Sequence, residues 1–240
     1  MPISFQNKKI MIVVAHPDDE LLGLGATMHR LINENNVKTH VVILGEGITS
    51  RSQKRDPALW EKELATHKMN IKNAQAVIGY ESVNTHDFPD NRFDTVALLD
   101  VIKVIEKEKE SFQPDIIFTH HGGDVNIDHQ RTFEAVITAC RPMAQESVKT
   151  IFSFETPSGT EWRASTDPRH FIPNFFFSVS AKNLDAKIIG MECYEFERRS
   201  YPHPRSPEAL RIQAQRWGVT VGCELAEAFC LVRNILTINN

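Results

Sequence analysis

The sequence predicts an α/β fold in which a mainly parallel sheet is covered by helices. Continuous apolar runs rich in β-branched residues, KIMIVVA (9–15) and KTHVVILG (38–45), are typical of strands that are buried on both faces. Segments with helical spacing separate such runs, and the alternation of strand and helix implies right-handed crossovers between parallel strands. The order of elements therefore indicates a layered α/β architecture.

The first two-thirds of the chain supplies the alternating elements. Strands are expected at 9–15, 38–45, 81–88, 114–121 and 149–155, of which the third is the weakest candidate. Helices are expected at 20–35, about 58–78, 95–110 and about 129–140. In the last third, FFFSVS (175–180) is a candidate strand, 181–197 is expected to be helical, and three prolines precede a further helix within 201–218.

The length of 240 residues fits one domain, and no repeat or linker divides the chain. We expect a single domain over 1–240, with a core at 1–155 and a C-terminal extension at 156–240 packed on the sheet. The net charge of −4 argues against a nucleic-acid-binding face, which requires a basic excess. Lys and Arg also form no stripe of the kind that binds a membrane surface.

The chain shows the features of a cytoplasmic protein. Its N-terminal apolar run is too short for a signal peptide and ends in charged residues, and no stretch reaches the length of a transmembrane helix. The four cysteines form no CxxC pair, which favours reduced and largely buried thiols. We therefore expect no integral membrane contact.

Two polar motifs follow predicted strands, at the edge of the sheet where open parallel sheets bind ligands. The first is HPDDE, residues 16–20, and the second is THHGGDVNIDHQ, residues 119–130. With Pro17 in the first helical turn, His16 and Asp19 are three residues apart and can reach one ion.

A third ligand from the second motif, His129, would give a His/His/Asp set. Three protein ligands and one open position are the arrangement of hydrolytic zinc sites. Asp18 would stay free beside the ion as a general base. An ordinary alternative stays open, since acidic residues are favoured in any first helical turn and Asp-His is common in solvated loops. Asp128 would either orient a ligating histidine or cap the following helix.

The motif AHPDDE after an N-terminal strand, paired with a later DH dyad, resembles the PIG-L/LmbE-like zinc-dependent N-acetylsugar deacetylases. The resemblance covers residues 8–155, and the tail with TEW, PN and PHPRS is similar to a bacterial subgroup associated with surface-polysaccharide or sugar modification. It implies a Rossmann-like three-layer sandwich and hydrolysis of an N-acetyl amide to a free amino sugar and acetate. It also implies that His16, Asp19 and His129 bind zinc and that Asp18 is the general base.

The chain departs from the family pattern at the second motif. Many members have His-Pro-Asp-His there, and the first His is thought to assist the tetrahedral intermediate. Asn126 occupies that place in this chain, where its amide can donate to an oxyanion but cannot transfer a proton. His120 and His121 are candidates to take over the missing role. The Arg and Glu that many members carry at the start of the long helix are also not plainly present.

Polar residues in three loops are candidate substrate contacts. Asp90 and Arg92 in HDFPDNRFD can contact sugar hydroxyls, and Arg51 can clamp a phosphate or carboxylate. His203 and Arg205 lie between the prolines of YPHPRS, a stiff support for a substrate contact. Turn chemistry and solvated loop charges are the structural alternative for all five residues.

The sequence therefore predicts a zinc-dependent hydrolase that removes an acetyl group from the amide nitrogen of an N-acetylated sugar or sugar conjugate. The alternatives are a metal-dependent amidase acting on a non-sugar N-acyl compound and an inactive sugar-binding relative. The donor set also accommodates Fe²⁺ or Co²⁺. The expected partner is a small-molecule sugar, with His121 and Trp162 as further candidate contacts. The oligomeric state stays open, a homo-oligomer included.

Overall fold

The computed structural model describes residues 3–236 and contains a seven-stranded sheet. The spatial order is β3-β2-β1-β4-β5-β7-β6; β1 to β5 run parallel, and β7 pairs antiparallel with both β5 and β6. The strands are β1 Lys9–Val14, β2 Lys38–Gly45, β3 Ser82–Phe88, β4 Ile116–His120, β5 Thr150–Phe154, β6 Phe175–Ser178 and β7 Ala226–Asn234. The α/β fold class with a mainly parallel sheet is confirmed.

Helices cover both faces of this sheet. They are α1 Asp19–Leu22, α2 Gly25–Asn35, α3 Glu61–Ile78, α4 Leu98–Phe112, α5 Ile127–Ala139, α6 Ala181–Glu192 and α7 Pro207–Val221. The single helix expected at 20–35 is two helices that are separated at Gly23 and Leu24. The chain passes so close to Phe154 that a Cβ at Gly23 would lie 2.1 Å from the Phe154 ring, and Leu24 leaves the helical conformation with φ −153° and ψ 13°.

The alternation of side chains along β1 builds one apolar core on each face of the sheet. Ile10, Ile12 and Val14 belong to a cluster that also contains side chains of α2, α3, α6 and α7. Met11 and Val13 belong to a second cluster with side chains of α4 and α5. All five side chains are fully buried, which explains why this strand reads as a continuous apolar run. The arrangement is a three-layer sandwich.

The C-terminal extension contributes two strands to the sheet as well as two helices. The sequence analysis did not find β7, because Glu227 interrupts its apolar pattern. The Glu227 side chain is 5% exposed, and its negative charge is compensated by partners in the interior. Its carboxylate accepts hydrogen bonds from Lys187 Nζ at 2.6 Å and from the backbone N–H of Thr27 at 2.7 Å. The segment 181–197 was expected to be helical throughout, but its helix ends at Glu192.

Among residues 3–236, no helix combines the length and the apolar character that crossing a membrane requires.

We predict that Lys187→Ala destabilises the fold by about 3–5 kcal/mol, because it leaves the Glu227 carboxylate buried without its cation. Lys187 is 3% exposed, so solvent does not screen this ion pair. Urea unfolding followed by circular dichroism measures the change. Lys182→Ala, at an exposed position of the same helix, serves as the control. Equal stability of the two variants would show that the buried pair contributes nothing.

Candidate metal centre

Three side chains meet at the carboxyl edge of the sheet, where β1 and β4 are neighbours. His16 follows β1, Asp19 is the first residue of α1, and His129 lies in the first turn of α5 beyond β4. Their candidate ligand atoms all lie within 4.8 Å of one another. The structure thus brings together the His/His/Asp set that the sequence analysis expected.

A strained turn after β1 holds His16 and Asp19 side by side. Asp18 has φ 104° and ψ −27°, a left-handed conformation that is uncommon for a residue with a Cβ atom. The turn allows Asp19 Oδ2 to accept the backbone N–H of His16 at 2.8 Å, and the same oxygen lies 3.4 Å from His16 Nδ1. The helix begins at Asp19, so this turn, and not a helical turn containing Pro17, sets the spacing.

Each histidine has a buried carboxylate at the nitrogen that faces away from Asp19. His16 Nε2 donates to Asp128 Oδ2 at 2.9 Å, and Asp128 Oδ1 accepts the backbone N–H of Phe93 at 2.9 Å. His129 Nδ1 lies 3.2 Å from Asp124 Oδ2. Carboxylates in this position fix the tautomer of a metal-ligating imidazole and raise its basicity. Asp128 therefore orients a histidine and does not cap the helix.

The donor set fits a divalent cation. His129 Nε2 lies 3.4 Å from Asp19 Oδ2, is buried, and has no hydrogen-bond partner within the described part of the chain. A buried imidazole nitrogen without a partner is costly unless a ligand satisfies it. Two imidazoles and one carboxylate form a common zinc-binding set. His16, Asp19 and His129 can therefore hold the metal.

The charges of the cluster also favour a cation. Burial alone would lower the pKa of His129, but Asp19 and Asp124 raise it to about 9. Burial likewise opposes the charge of His16, yet Asp128 and Asp19 hold its pKa well above the usual value. The pKa of Asp19 is lowered well below its usual value against the effect of burial, chiefly by the charge of His129. The surrounding carboxylates thus favour positive charge at His16 and His129.

His120 packs against His129, one of the three candidate ligands. Its ring stacks on His129 with a centroid distance of 3.9 Å and an interplanar angle of 6°. His120 Nε2 accepts the backbone N–H of Ala15 at 3.0 Å, so Nδ1 carries the proton and donates to Thr156 Oγ1 at 3.0 Å. Burial lowers its pKa to about 4, which keeps the imidazole neutral. Both ring nitrogens are engaged and the side chain is fully buried.

A cavity of about 300 Å³ is lined by His16 and Asp18. It is polar, and both the core loops and the C-terminal extension contribute to its wall. Among the candidate substrate contacts, five line it: Arg51, Asp90, Trp162, His203 and Arg205. The lining residues that the sequence analysis did not assign as contacts include Ser158, Glu197 and Arg199.

Asp18 is tied to the C-terminal extension by Arg205. Arg205 Nη1 donates to Asp18 Oδ2 at 2.8 Å and to Glu197 Oε2 at 2.9 Å, while its Nε donates to Ser158 Oγ at 2.7 Å. Glu197 also accepts from Arg51 Nη2 at 2.7 Å. Burial raises the pKa of Asp18 well above its usual value, and Arg205 opposes this shift.

Three further residues that the sequence analysis singled out, Asn126, Arg92 and His121, lie outside the His16/Asp19/His129 group. Asn126 lines the cavity and caps α5: its Oδ1 accepts the N–H of Asp128 at 2.8 Å, and its Nδ2 donates to Asn91 Oδ1 at 3.0 Å. Arg92 lies outside this cavity and donates to the backbone oxygen of Gln53 at 3.2 Å. His121 also lies outside it, with Nε2 bonded to the Arg169 carbonyl at 2.8 Å.

Asp124 is the residue of the candidate centre that sequence reasoning missed. It follows two glycines in the second motif, which made it look like part of a loop. It is fully buried and accepts hydrogen bonds from Thr160 Oγ1 at 2.6 Å and from the N–H of Asn126 at 2.8 Å. The available signal was the position of Asp124 five residues before His129, the candidate ligand. The direction in which the Asp124 side chain points, however, is decided by the conformation of the loop.

The fold and the site define the class: an α/β protein with a His/His/Asp group, able to hold a metal, at the carboxyl edge of a parallel sheet. Within that class, residues 11–140 match the sequence profile of the family described as PIG-L, GlcNAc-PI de-N-acetylase. The match spans more than half of the chain, and the protein belongs to the PIG-L deacetylase family.

Two curated proteins are similar along most of their length. An uncharacterized deacetylase, YaiS, of Escherichia coli K12 is 27% identical over 192 residues, which cover 78% of this chain and 90% of that protein. A probable N-acetyl-alpha-D-glucosaminyl L-malate deacetylase 2 of Bacillus anthracis is 24% identical over 216 residues, covering 89% of this chain and 84% of that protein.

Solved structures share the fold. The N,N'-diacetylchitobiose deacetylase of Pyrococcus horikoshii superposes with a TM-score of 0.72 at 18% identity, covering 94% of this chain and 84% of that one. The 4-carboxy-2-hydroxymuconate hydratase GalB of Pseudomonas putida superposes with a TM-score of 0.73 at 19% identity, covering 97% and 99%. Because a hydratase shares the fold, the residues of the site and not the architecture must decide the reaction.

We predict that Asp124→Asn weakens the binding of a divalent cation, with Zn²⁺ as the probe, by about 10–100-fold without unfolding the protein, because the amide no longer orients His129 or raises its basicity. Competition with a chromophoric chelator measures the affinity directly. Asp185→Asn, which alters an aspartate of α6 bonded to Arg211, is the control. Unchanged affinity in the Asp124 variant would remove this carboxylate from the metal centre.

Proposed function

We propose that the protein is a zinc-dependent hydrolase that removes the acetyl group from the amide nitrogen of an N-acetylated sugar or sugar conjugate. The observation that carries the proposal is the position of Asp18: it lines the cavity beside His16 and stays outside the His16/Asp19/His129 set. A binding protein has no use for such a spare carboxylate, whereas amide hydrolysis requires a base.

His16, Asp19 and His129 would hold the ion, and the same donors also suit Fe²⁺ or Co²⁺. A divalent cation bound there supplies Lewis-acid chemistry, polarising an amide carbonyl and lowering the pKa of a water molecule. The two carboxylates behind the histidines, Asp124 and Asp128, keep one nitrogen of each ring free for the ion.

Asp18 transfers a proton from the attacking water to the leaving nitrogen. As general base its carboxylate takes a proton from the attacking water, and as general acid it returns the proton to the leaving nitrogen of the sugar. Arg205 Nη1, 2.8 Å from Asp18 Oδ2, fixes the orientation of the carboxylate and favours its ionised form. The other oxygen of Asp18 is then available to the water molecule.

Asn126 is the proposed donor to the oxygen of the acetyl group. One hydrogen of its Nδ2 is used by Asn91, and the second hydrogen can donate to the oxygen as negative charge develops. The capping bond of Oδ1 to the N–H of Asp128 fixes the direction of the amide. Asn126 can therefore stabilise charge but cannot supply the proton, which leaves that task to Asp18.

The cavity volume of about 300 Å³ is at the lower end of small-molecule sites, a size suited to one monosaccharide unit. Arg51, Asp90, His203 and Arg205 supply polar contacts along its wall. Trp162 is 57% exposed and meets the His203 ring edge-on, with centroids 6.2 Å apart, which presents an aromatic face for the sugar ring. Arg92 and His121, which lie outside the cavity, would act only on a longer substrate.

The extension belongs to the same proposed functional unit. We propose that residues 1–155 and 156–240 form one domain, since Glu197 and Arg205 of the extension line the cavity with residues of the core. The alternative of a metal-dependent amidase for non-sugar N-acyl compounds uses the same centre and differs only in the cavity contacts.

We predict that Asp18→Asn keeps its bound zinc and loses about 10²–10⁴-fold in kcat for deacetylation, the range for removing a general base. Acetate release from free, nucleotide-linked and lipid-linked N-acetylhexosamines measures activity, and elemental analysis measures the metal. Asp94→Asn, at an exposed position, is the control. Full activity in the Asp18 variant would refute its role, and activity restricted to non-sugar N-acyl compounds would favour the amidase alternative.

We predict that Trp162→Ala raises KM for N-acetylhexosamine substrates by roughly tenfold with little change in kcat, because it removes a stacking face and no reacting group. Steady-state kinetics on the best substrate of the panel provides the measurement. Trp162→Phe, which retains an aromatic face, should recover most of the lost affinity. A loss in kcat alone would contradict a role in sugar binding.

A further inference from the structure

Residues 156–163, with the sequence TPSGTEWR, follow β5 and contact the turn that carries Asp124. Thr160 and Asp124 meet at the centre of this contact, and both residues are at most 1% exposed. Thr160 Oγ1 accepts the backbone N–H of Thr156 at 2.8 Å and donates to Asp124 Oδ2 at 2.6 Å. Because an ionised carboxylate only accepts hydrogen bonds, the hydroxyl hydrogen of Thr160 is directed at Asp124.

The oxygen that Thr160 holds is also the one that faces a candidate metal ligand. Asp124 Oδ2 lies 3.2 Å from His129 Nδ1, while Asp124 Oδ1 accepts the backbone N–H of Asn126 at 2.8 Å. Rotation about the Cβ–Cγ bond of an aspartate is soft, so hydrogen bonds decide where its two oxygens lie. Thr160 therefore helps to keep the carboxylate turned toward the imidazole.

The backbone of the same segment leaves just enough room for the Asp124 carboxylate. A Cβ at Gly159 would lie 2.7 Å from Asp124 Oδ1 and 2.9 Å from Asp124 Oδ2, which is too close for either oxygen to stay in place. Arg163 Nε donates to the carbonyl oxygen of Gly123 at 2.6 Å, and its Nη2 donates to that of Asp124 at 3.1 Å. The segment thus fixes Asp124 by its backbone and by its side chain.

The segment also supports the ring that stacks on His129. His120 Nδ1 donates to Thr156 Oγ1 at 3.0 Å, and the centroids of the His120 and His129 rings are 3.9 Å apart. His129 is therefore contacted at its Nδ1 edge by Asp124 and on its face by His120. Both contacting side chains are hydrogen-bonded to threonines of the 156–163 segment.

We propose that Thr160 is a positioning residue for the metal centre. Its hydroxyl fixes the Asp124 carboxylate, which orients His129 toward the divalent cation, and Gly159 provides the space that the carboxylate needs. The C-terminal extension thereby sets the affinity of a centre whose three candidate ligands all lie within residues 1–155. The inference goes beyond the proposed function, because it concerns the binding of the cation and holds for any substrate.

The first test removes the hydroxyl and keeps the shape of the side chain. Thr160→Val in the full-length protein should weaken the binding of Zn²⁺ by about 3–10-fold, because one hydrogen bond to the carboxylate that orients His129 is lost. Thr160→Ser, which keeps the hydroxyl, should restore the affinity to within about twofold of the wild type. Competition with a chromophoric chelator measures the affinity. Thr220→Val, the same substitution at an exposed position of α7, is the control and should leave it unchanged.

A double-mutant cycle separates an action through Asp124 from a general loosening of the segment. In the Asp124→Asn protein, the additional Thr160→Val change should alter the Zn²⁺ affinity by less than about twofold, since the carboxylate that Thr160 positions is already gone. Losses that add fully in the double variant would show that Thr160 acts independently of Asp124 and would overturn the proposal.

Gly159→Ala is an independent variant that keeps every hydrogen-bonding side chain of the segment. The added methyl group should displace the Asp124 carboxylate and weaken Zn²⁺ binding by about 3–10-fold as well. Circular dichroism shows whether each variant is folded, and if Thr160→Val does not fold, the Gly159 variant decides the outcome. Wild-type affinity for Zn²⁺ in the deciding variant would overturn the proposal.

None of these measurements involves a substrate. A wild-type protein that releases no acetate from any N-acetylhexosamine would refute the proposed function and leave the role of Thr160 in metal binding standing. Conversely, a deacetylase whose Zn²⁺ affinity does not depend on Thr160 would support the proposed function and refute the role of Thr160.

Discussion

The structure depends on burying three aspartates at the carboxyl ends of β1 and β4. Asp19, Asp124 and Asp128 are at most 1% exposed, and carboxylates can lose their hydration only if positive charge or hydrogen-bond donors replace it. His16 and His129 provide that replacement, each held between two of these carboxylates. A divalent cation bound to the same side chains would compensate the charge more fully. The strained turn at Asp18 and the pairing of β1 with β4 bring these side chains together.

The C-terminal extension completes the site as well as the sheet. β7 joins the sheet beside β5, and the buried pair between Lys187 and Glu227 connects it to α6. The same extension carries Arg205 and Glu197 into the cavity, so that Asp18 is held between the turn of the core and a guanidinium from the tail. Stability and the geometry of the proposed base are thus linked through one segment.

The shared fold of deacetylases and a hydratase shows that the layered sheet is a scaffold for more than one reaction. In this chain the carboxyl edge of the sheet brings together side chains able to hold a metal, the carboxylate of Asp18 and the side-chain amide of Asn126. Two cavities beside them differ in character: the one lined by His16 and Asp18 is polar, and its neighbour beyond His67 has both aliphatic and charged lining residues. Differences of this kind within one family are a physical basis for different substrates.

The sequence by itself determined the elements whose signal is local. The apolar run of β1 and the spacing of HPDDE place a histidine and two aspartates at a strand end, and the second motif adds His129. The helix expected at 20–35 was wrong in one respect: it is broken at Leu24, next to the place where Gly23 packs on Phe154, and a contact between residues so far apart in the chain leaves no local signal. The strand β7 was missed for the same reason, since Lys187 from a distant helix compensates its glutamate. The sequence could not show which carboxylate faces which histidine, that Arg205 holds Asp18, or that His121 and Arg92 lie outside the cavity. Only the tertiary structure decides these, because the direction of a loop side chain is set by contacts made by residues far apart in the chain.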